Sequence, residues 1–174
     1  GISVCDWSSD VCSSDLSPEI VAPLEQAMRD VGWYPDVIIL PANNYAPAMV
    51  NDALRNSYVG VYTHPFEEAD DSPAVQQFLD IMDEHSPDWN REALAVNAFS
   101  AWLLFAKSAG ECGADLTRQC VVERGMANED WTGGGLTVPF PIDTKATPEP
   151  VICGAIVRAE PDGFSLDEEL TDAN

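Results

Sequence analysis

Residues 35–40 read PDVIIL, a turn followed by four consecutive apolar residues, Val37 to Leu40. So short a run reads as a strand, and a strand apolar at every position suits burial on both faces, as in a parallel sheet. Parallel neighbours need a crossover between them, and the flanking sequence offers one on each side. Upstream, SPEIVAPLEQAMRDVG (17–32) has helical periodicity, with Ile20, Leu24, Ala27, Met28 and Val31 on one face. Ser17 before Pro18 suits a helix start, and Gly32 a helix stop. Pro23 weakens the first turns and leaves open a helix that begins there instead. Downstream, PANNYAPAMVNDAL (41–54) reads as a polar loop entering a helix, and YVGVYTH (58–64) as a second β-rich run.

The remainder adds helices and then a hairpin. An acidic loop ends in Ser72 and Pro73, a helix start, followed by Val75, Phe78, Leu79 and Met82 at helical spacing. NREALAVNAFSAWLLFAKSAGE (90–111) is the longest and most apolar helix. It reads as too short and too interrupted by polar residues to span a membrane, so burial in a layered core is expected. DLTRQCVVERGMA (115–127) reads as a further helix with Asp115 as its N-cap. The stretch 130–150 is rich in Gly and Pro and contains no helix, and VICGAIVRAEPDGFSLD (151–167) reads as a strand, a PDG turn and a second strand. The order α-β-α-β-α-α-α-loop-β-β points to an α/β protein with a parallel sheet.

The opening stretch stands apart. CDWSSDVCSSDL (5–16) repeats SSD, and it lacks both the basic start and the apolar run of a secretory signal. Six residues separate Cys5 from Cys12, whereas the first ligand pair of a structural zinc site is spaced by about two to four. Residues 6–16 are similar to a one-frame translation of a common short-read sequencing adapter. Residues 1–16 are therefore expected to be a non-native scar without function, with natural sequence resuming near Ser17 and its upstream part missing.

Hydrophobic content of 45% and aromatic content of 9% describe a chain that folds around a core. The net charge is −22, and 27 acids against 8 bases remain when Asp6, Asp10 and Asp15 are set aside. So acidic a surface repels phosphate backbones and anionic lipid, which argues against nucleic-acid and membrane-surface partners. Cys112 and Cys120 are spaced for a short disulfide loop, which would imply an oxidising compartment; two unrelated buried thiols are the alternative. Cys153 sits in an apolar strand and reads as a small core residue.

Few motifs carry chemistry. TGGGL (132–136) is followed by TVPFP, which cannot start a helix, so it reads as a turn and not as a phosphate loop. His64 and His85 do not have the two-histidine spacing of a helical metal site, and no metal or cofactor is expected. No G-x-S-x-G elbow is present. The loop PANNYAP follows the C-terminal end of a strand, where open α/β sheets bind ligands. There Asn43, Asn44 and Tyr45 offer uncharged donors and acceptors for a small polar ligand; ordinary turn chemistry is the alternative.

LEQAMRDVGWYPDVIILPANNY, YVGVYTHPFEEADDSPAVQQFLDIMDEHSPDWN, ALAVNAFSAWLLFAKSAG, WTGGGLTVP and VICGAIVRAEPDGF occur in that order. The series resembles the C-terminal part of the branched-chain amino-acid-type substrate-binding proteins of ABC importers, the type I periplasmic binding proteins. The resemblance implies two Rossmann-like lobes with parallel sheets, truncated at the N-terminus. Residues 17–58 would belong to the C-terminal lobe, 59–147 to the N-terminal lobe, and 148–174 would return to the C-terminal lobe and end in an acidic tail. It also implies a non-enzymatic, extracytoplasmic, monomeric protein that traps a small polar ligand such as an amino acid by hinge closure, and passes it to membrane permease subunits. Phe99, in NAFSA, matches the family's ligand-facing aromatic; a core aromatic is the alternative. The loop at Asn43 holds no acid for an α-ammonium group. A ligand-sensing domain of a receptor or regulator with this fold is the second reading, and a small α/β hydrolase the third.

Overall fold

The computed structural model describes residues 4–5, 11–13, 16–50, 57–142 and 154–168. The chain forms β1 (Val4–Cys5), β2 (Val11–Ser13), α1 (Pro18–Asp30), β3 (Val37–Leu40), β4 (Ser57–Val61), α2 (Pro73–His85), α3 (Ala93–Cys112), α4 (Arg118–Met126), β5 (Ala155–Glu160) and β6 (Gly163–Glu168). The six strands make one mixed sheet in sequential order. β2, β3 and β4 are parallel, with Val11 opposite Val37 and Leu40 opposite Val59. β5 and β6 extend the sheet antiparallel beyond β4, with Val61 opposite Ala155. β1 adds antiparallel at the other edge. The expected parallel sheet thus covers three of the six strands. Strands set aside as scar, β1 and β2, enter the sheet.

β3 is not buried on both faces. Ile38 and Leu40 are each 2% exposed, while Ile39 between them is 49% exposed. β4 and β5 alternate in the same way, with Val59, Val61, Ala155 and Val157 inside. One face of the sheet is covered by α1 and by the loop after β3. That loop forms 3-10 turns at Ala42–Asn44 and Pro47–Met49; the helix expected after it falls on residues 51–56, outside the described residues.

α1 begins at Ser17–Pro18 and runs through Pro23, so the later start at Pro23 does not occur. Gly32 supplies the positive φ of 75° that ends it. Its buried residues include Val21, Glu25 and Met28; of the expected stripe Met28 is buried, whereas Ile20, Leu24 and Val31 are 40 to 79% exposed. The apolar count misplaced the stripe because its central buried position is a glutamate.

A second core lies under α2, whose Ser72 cap and Pro73 start form as read, with Ser72 Oγ accepting from the Val75 N–H. Val75, Phe78 and Leu79 pack there on Val96 of α3 and on Leu136, with Phe66, Met82, Trp89 and Phe99 around them. Phe66 packs against both cores.

α3 departs from its expectation in two ways. With the turn after it, the helix runs 23 residues and contains an 18-residue window of mean hydropathy 1.2, long and apolar enough by those two measures to cross a membrane. Burial in a layered core also fails: Trp102 is 69% exposed and Phe105 49%. The buried residues of α3 are Ala93, Val96, Ser100, Ser108 and Cys112. α4 starts at Arg118, with Thr117 and not Asp115 as its cap, because the Thr117 hydroxyl accepts from the Cys120 N–H. Cys112 and Cys120 are joined by a disulfide, which ties the end of α3 to the first turn of α4.

Candidate functional site

β4 ends at Val61, and the chain leaves the sheet through Tyr62, Thr63 and His64 towards α2. A second segment runs beside this exit. Thr63 and Thr137 form an antiparallel bridge, and the His64 N–H donates to the Leu136 carbonyl at 2.9 Å. The second segment is held by a tight reversal at 132–137, where the N–H groups of Gly135, Leu136 and Thr137 all donate to the Thr132 carbonyl. Gly133 sits there at φ +62°. It also lies so close to α3 that an added Cβ would stand 2.8 Å from Ser100 Oγ. The TGGGL run is thus a turn fitted against a helix.

Between this turn, the exit from β4 and α3 lies a cavity of about 520 Å³. Tyr62 and Thr63 contribute from the β4 exit, and Asn97, Ser100, Ala101 and Leu104 from α3. Trp131, Thr137, Val138, Phe140 and Ile142 close the third side. Trp131 is fixed by backbone pairing with Phe140 and by its indole N–H, which donates to Ser100 Oγ at 2.9 Å. The hydroxyls of Thr63 and Thr137 are buried without a hydrogen-bond partner among the described residues. Among the described residues the walls carry no charged side chain, an arrangement fitted to holding a small molecule.

The residues singled out in sequence lie elsewhere. Asn43 and Asn44 turn their amides to the Leu16 carbonyl, at 3.4 and 3.0 Å, and Asn44 is fully buried. Tyr45 is 1% exposed. Its hydroxyl donates to Glu67 at 2.6 Å and accepts from the Phe66 N–H at 2.8 Å. Desolvation, then the neighbouring Glu67 charge, push the phenol far above its usual range. Desolvation likewise pushes the Glu67 carboxyl up, although the residue as a whole is exposed. Tyr45 lines a second cavity of about 300 Å³ with Phe66, Glu67, Arg91, Asp162 and Phe164. Phe99 packs edge-on against Phe78, 5.0 Å between ring centres, and lines neither cavity. The cavity residues were missed because the strand-end rule was applied to the loop after β3 alone; the end of β4 met the same rule.

A mixed sheet fed by α/β crossovers, with a second helical core beside it, is a fold that the chain shares with part of several solved ABC-transporter substrate-binding proteins. The chain is similar to a fatty acid ABC transporter substrate-binding protein from Thermomonospora curvata, at 16% identity and a TM-score of 0.74, over 94% of this chain and 43% of that one. It is similar to a leucine-binding protein from Thermotoga maritima, at 13% identity and 0.72, over 93% and 45%. It is also similar to a substrate-binding periplasmic protein from Ralstonia solanacearum, at 17% and 0.69, over 92% and 46%. The chain therefore spans less than half the length of the structures it matches. No protein-family model and no curated protein matches the sequence.

Proposed function

We propose that this chain is part of the solute-binding component of an ABC importer, which takes up a small organic solute outside the cytoplasm and hands it to permease subunits in the membrane. The observation that carries the reading is the shared fold over 94% of the chain. The neighbours are binding proteins, which fits capture without chemistry. In this reading residues 17–58 and 148–174 belong to one lobe and 59–147 to the other; the existence of two cores fits two lobes, although Val59, Val61 and Ala93 join the core under the sheet. The paired segments at Thr63 and Thr137 are then the joint about which the lobes close, with the cavity beside them. The full-length protein acts as a monomer in this reading.

Calorimetric titration of the chain with a panel of amino acids, short fatty acids and alcohols tests it, with mass spectrometry of the recovered solute. Saturable binding of a solute recovered unchanged is expected. Chemical conversion of the solute, or no saturable binding across the panel, overturns the reading.

A further inference from the structure

Resting on the solute-binding reading, we infer that the cavity beside the paired segments takes an uncharged, mainly apolar solute with one hydrogen-bonding group, and not an amino acid. The cavity measures about 520 Å³ and is lined by Leu104, Trp131, Val138, Phe140 and Ile142 together with neutral polar residues. A carboxylate or ammonium group placed against these walls would lose its hydration and meet no opposite charge among the described residues that line them. The chain's net charge of −22 adds a field that disfavours anions at longer range.

The neutral polar groups set the rest of the solute's character. Ser100 Oγ is already engaged by the Trp131 indole N–H. The hydroxyls of Thr63 and Thr137 have no partner among the described residues, although both residues belong to the wall. Rotation about the Cα–Cβ bond exchanges a threonine hydroxyl with its methyl. That motion brings either hydroxyl to an acceptor on a bound solute and satisfies a group that is otherwise orphaned. The bridge between Thr63 and Thr137 places the two on adjacent backbone, so one polar group on the solute can reach both. The remaining wall rewards an aliphatic or aromatic body.

Three probes that share one carbon skeleton separate charge from shape: 4-methylpentan-1-ol, 4-methylpentanoate and leucine, titrated into the whole chain at neutral pH. The alcohol is expected to bind saturably and about tenfold or more tighter than either charged probe. Ala101→Phe, which fills the cavity from α3, is expected to abolish that binding. Thr63→Val keeps the shape and removes the hydroxyl, and is expected to weaken the alcohol about three- to tenfold with the melting temperature unchanged. Tighter binding of leucine or of the carboxylate, lost on Ala101→Phe, overturns the solute class and leaves the solute-binding reading standing. Uptake of the alcohol that does not saturate, or that ignores Ala101→Phe, marks a bare apolar wall and also overturns the inference. Failure of all three probes while another solute of the panel binds overturns it as well.

Discussion

The Ser57 hydroxyl donates a 2.8 Å hydrogen bond to one carboxylate oxygen of Glu25 and so joins the first residue of β4 to the buried face of α1. Tyr34 donates to the same oxygen at 3.0 Å, and the other oxygen is buried with no partner among the described residues. Glu25 is 2% exposed and Ser57 0%. Desolvation outweighs the two hydrogen bonds and the nearby Arg29, so the carboxyl titrates above its usual range.

The raised value has a signed consequence for stability. The Glu25 contribution is fully present below the ordinary glutamate value of about 4.3 and is lost as pH rises through the elevated folded value. Each unit of elevation corresponds to about 1.4 kcal/mol lost at neutral pH. Glu25→Gln, which mimics the protonated form, is expected to remove this loss and to gain on the wild type between mildly acidic and neutral pH. Urea melts of both proteins across that range check it; parallel profiles would contradict the assignment.

Tyr45→Phe removes the hydroxyl that links Glu67 to the Phe66 N–H. The ring still fits between Phe66 and Phe164, at 5.1 and 4.9 Å between centres, so the loss isolates the hydroxyl. A cost of about 1–3 kcal/mol is expected, because the Phe66 N–H loses its acceptor. Tyr62→Phe, on a side chain 50% exposed, is expected to stay within about 0.5 kcal/mol. Equal denaturation midpoints for the two variants would defeat the prediction.

Gly133 and Gly32 both have positive φ, at 62° and 75°, but only Gly133 is crowded. Gly32→Ala is expected to cost about 1 kcal/mol from backbone conformation alone. Gly133→Ala is expected to cost roughly 1–3 kcal/mol more, because the new methyl displaces Ser100 and breaks its bond with Trp131. Thermal melts measure the difference, and Trp131 fluorescence should report the broken contact. Equal costs at the two glycines would remove the packing argument.

The Cys112–Cys120 bridge closes a loop with a sequence separation of 8. A loop of that size is worth about 2–3 kcal/mol through restriction of the unfolded chain. Reduction, or Cys112→Ser with Cys120→Ser, is expected to lower stability by that amount. A thiol titration of the oxidised protein that found both cysteines free would rule the bridge out.

Where chemistry and burial agreed, the elements were legible in sequence. Ser72 and Pro73 start α2, and Val75, Phe78 and Leu79 make its buried stripe, because cap and periodicity reinforce each other. The closing hairpin around Pro161–Asp162 was equally plain. Reading failed where an individual residue broke its own pattern. Glu25 hid the true face of α1, and the apolar run of β3 hid the exposure of Ile39. The site was less legible still. Thr63, Ser100 and the Trp131–Thr137 segment come from three distant stretches of the chain, and nothing local to any of them announces a shared wall.

From Ser17 onward the amino-acid order by itself determined most of the described helices, strands and turns, because periodicity, caps and turn residues act over a few neighbours. It also determined the α/β class. Tertiary structure alone decided which face of α1 is buried, that the sheet is mixed, and that a cavity forms where two distant segments pair. Those outcomes depend on what each surface meets across long separations, and neither a hydrophobic count nor a motif contains that information.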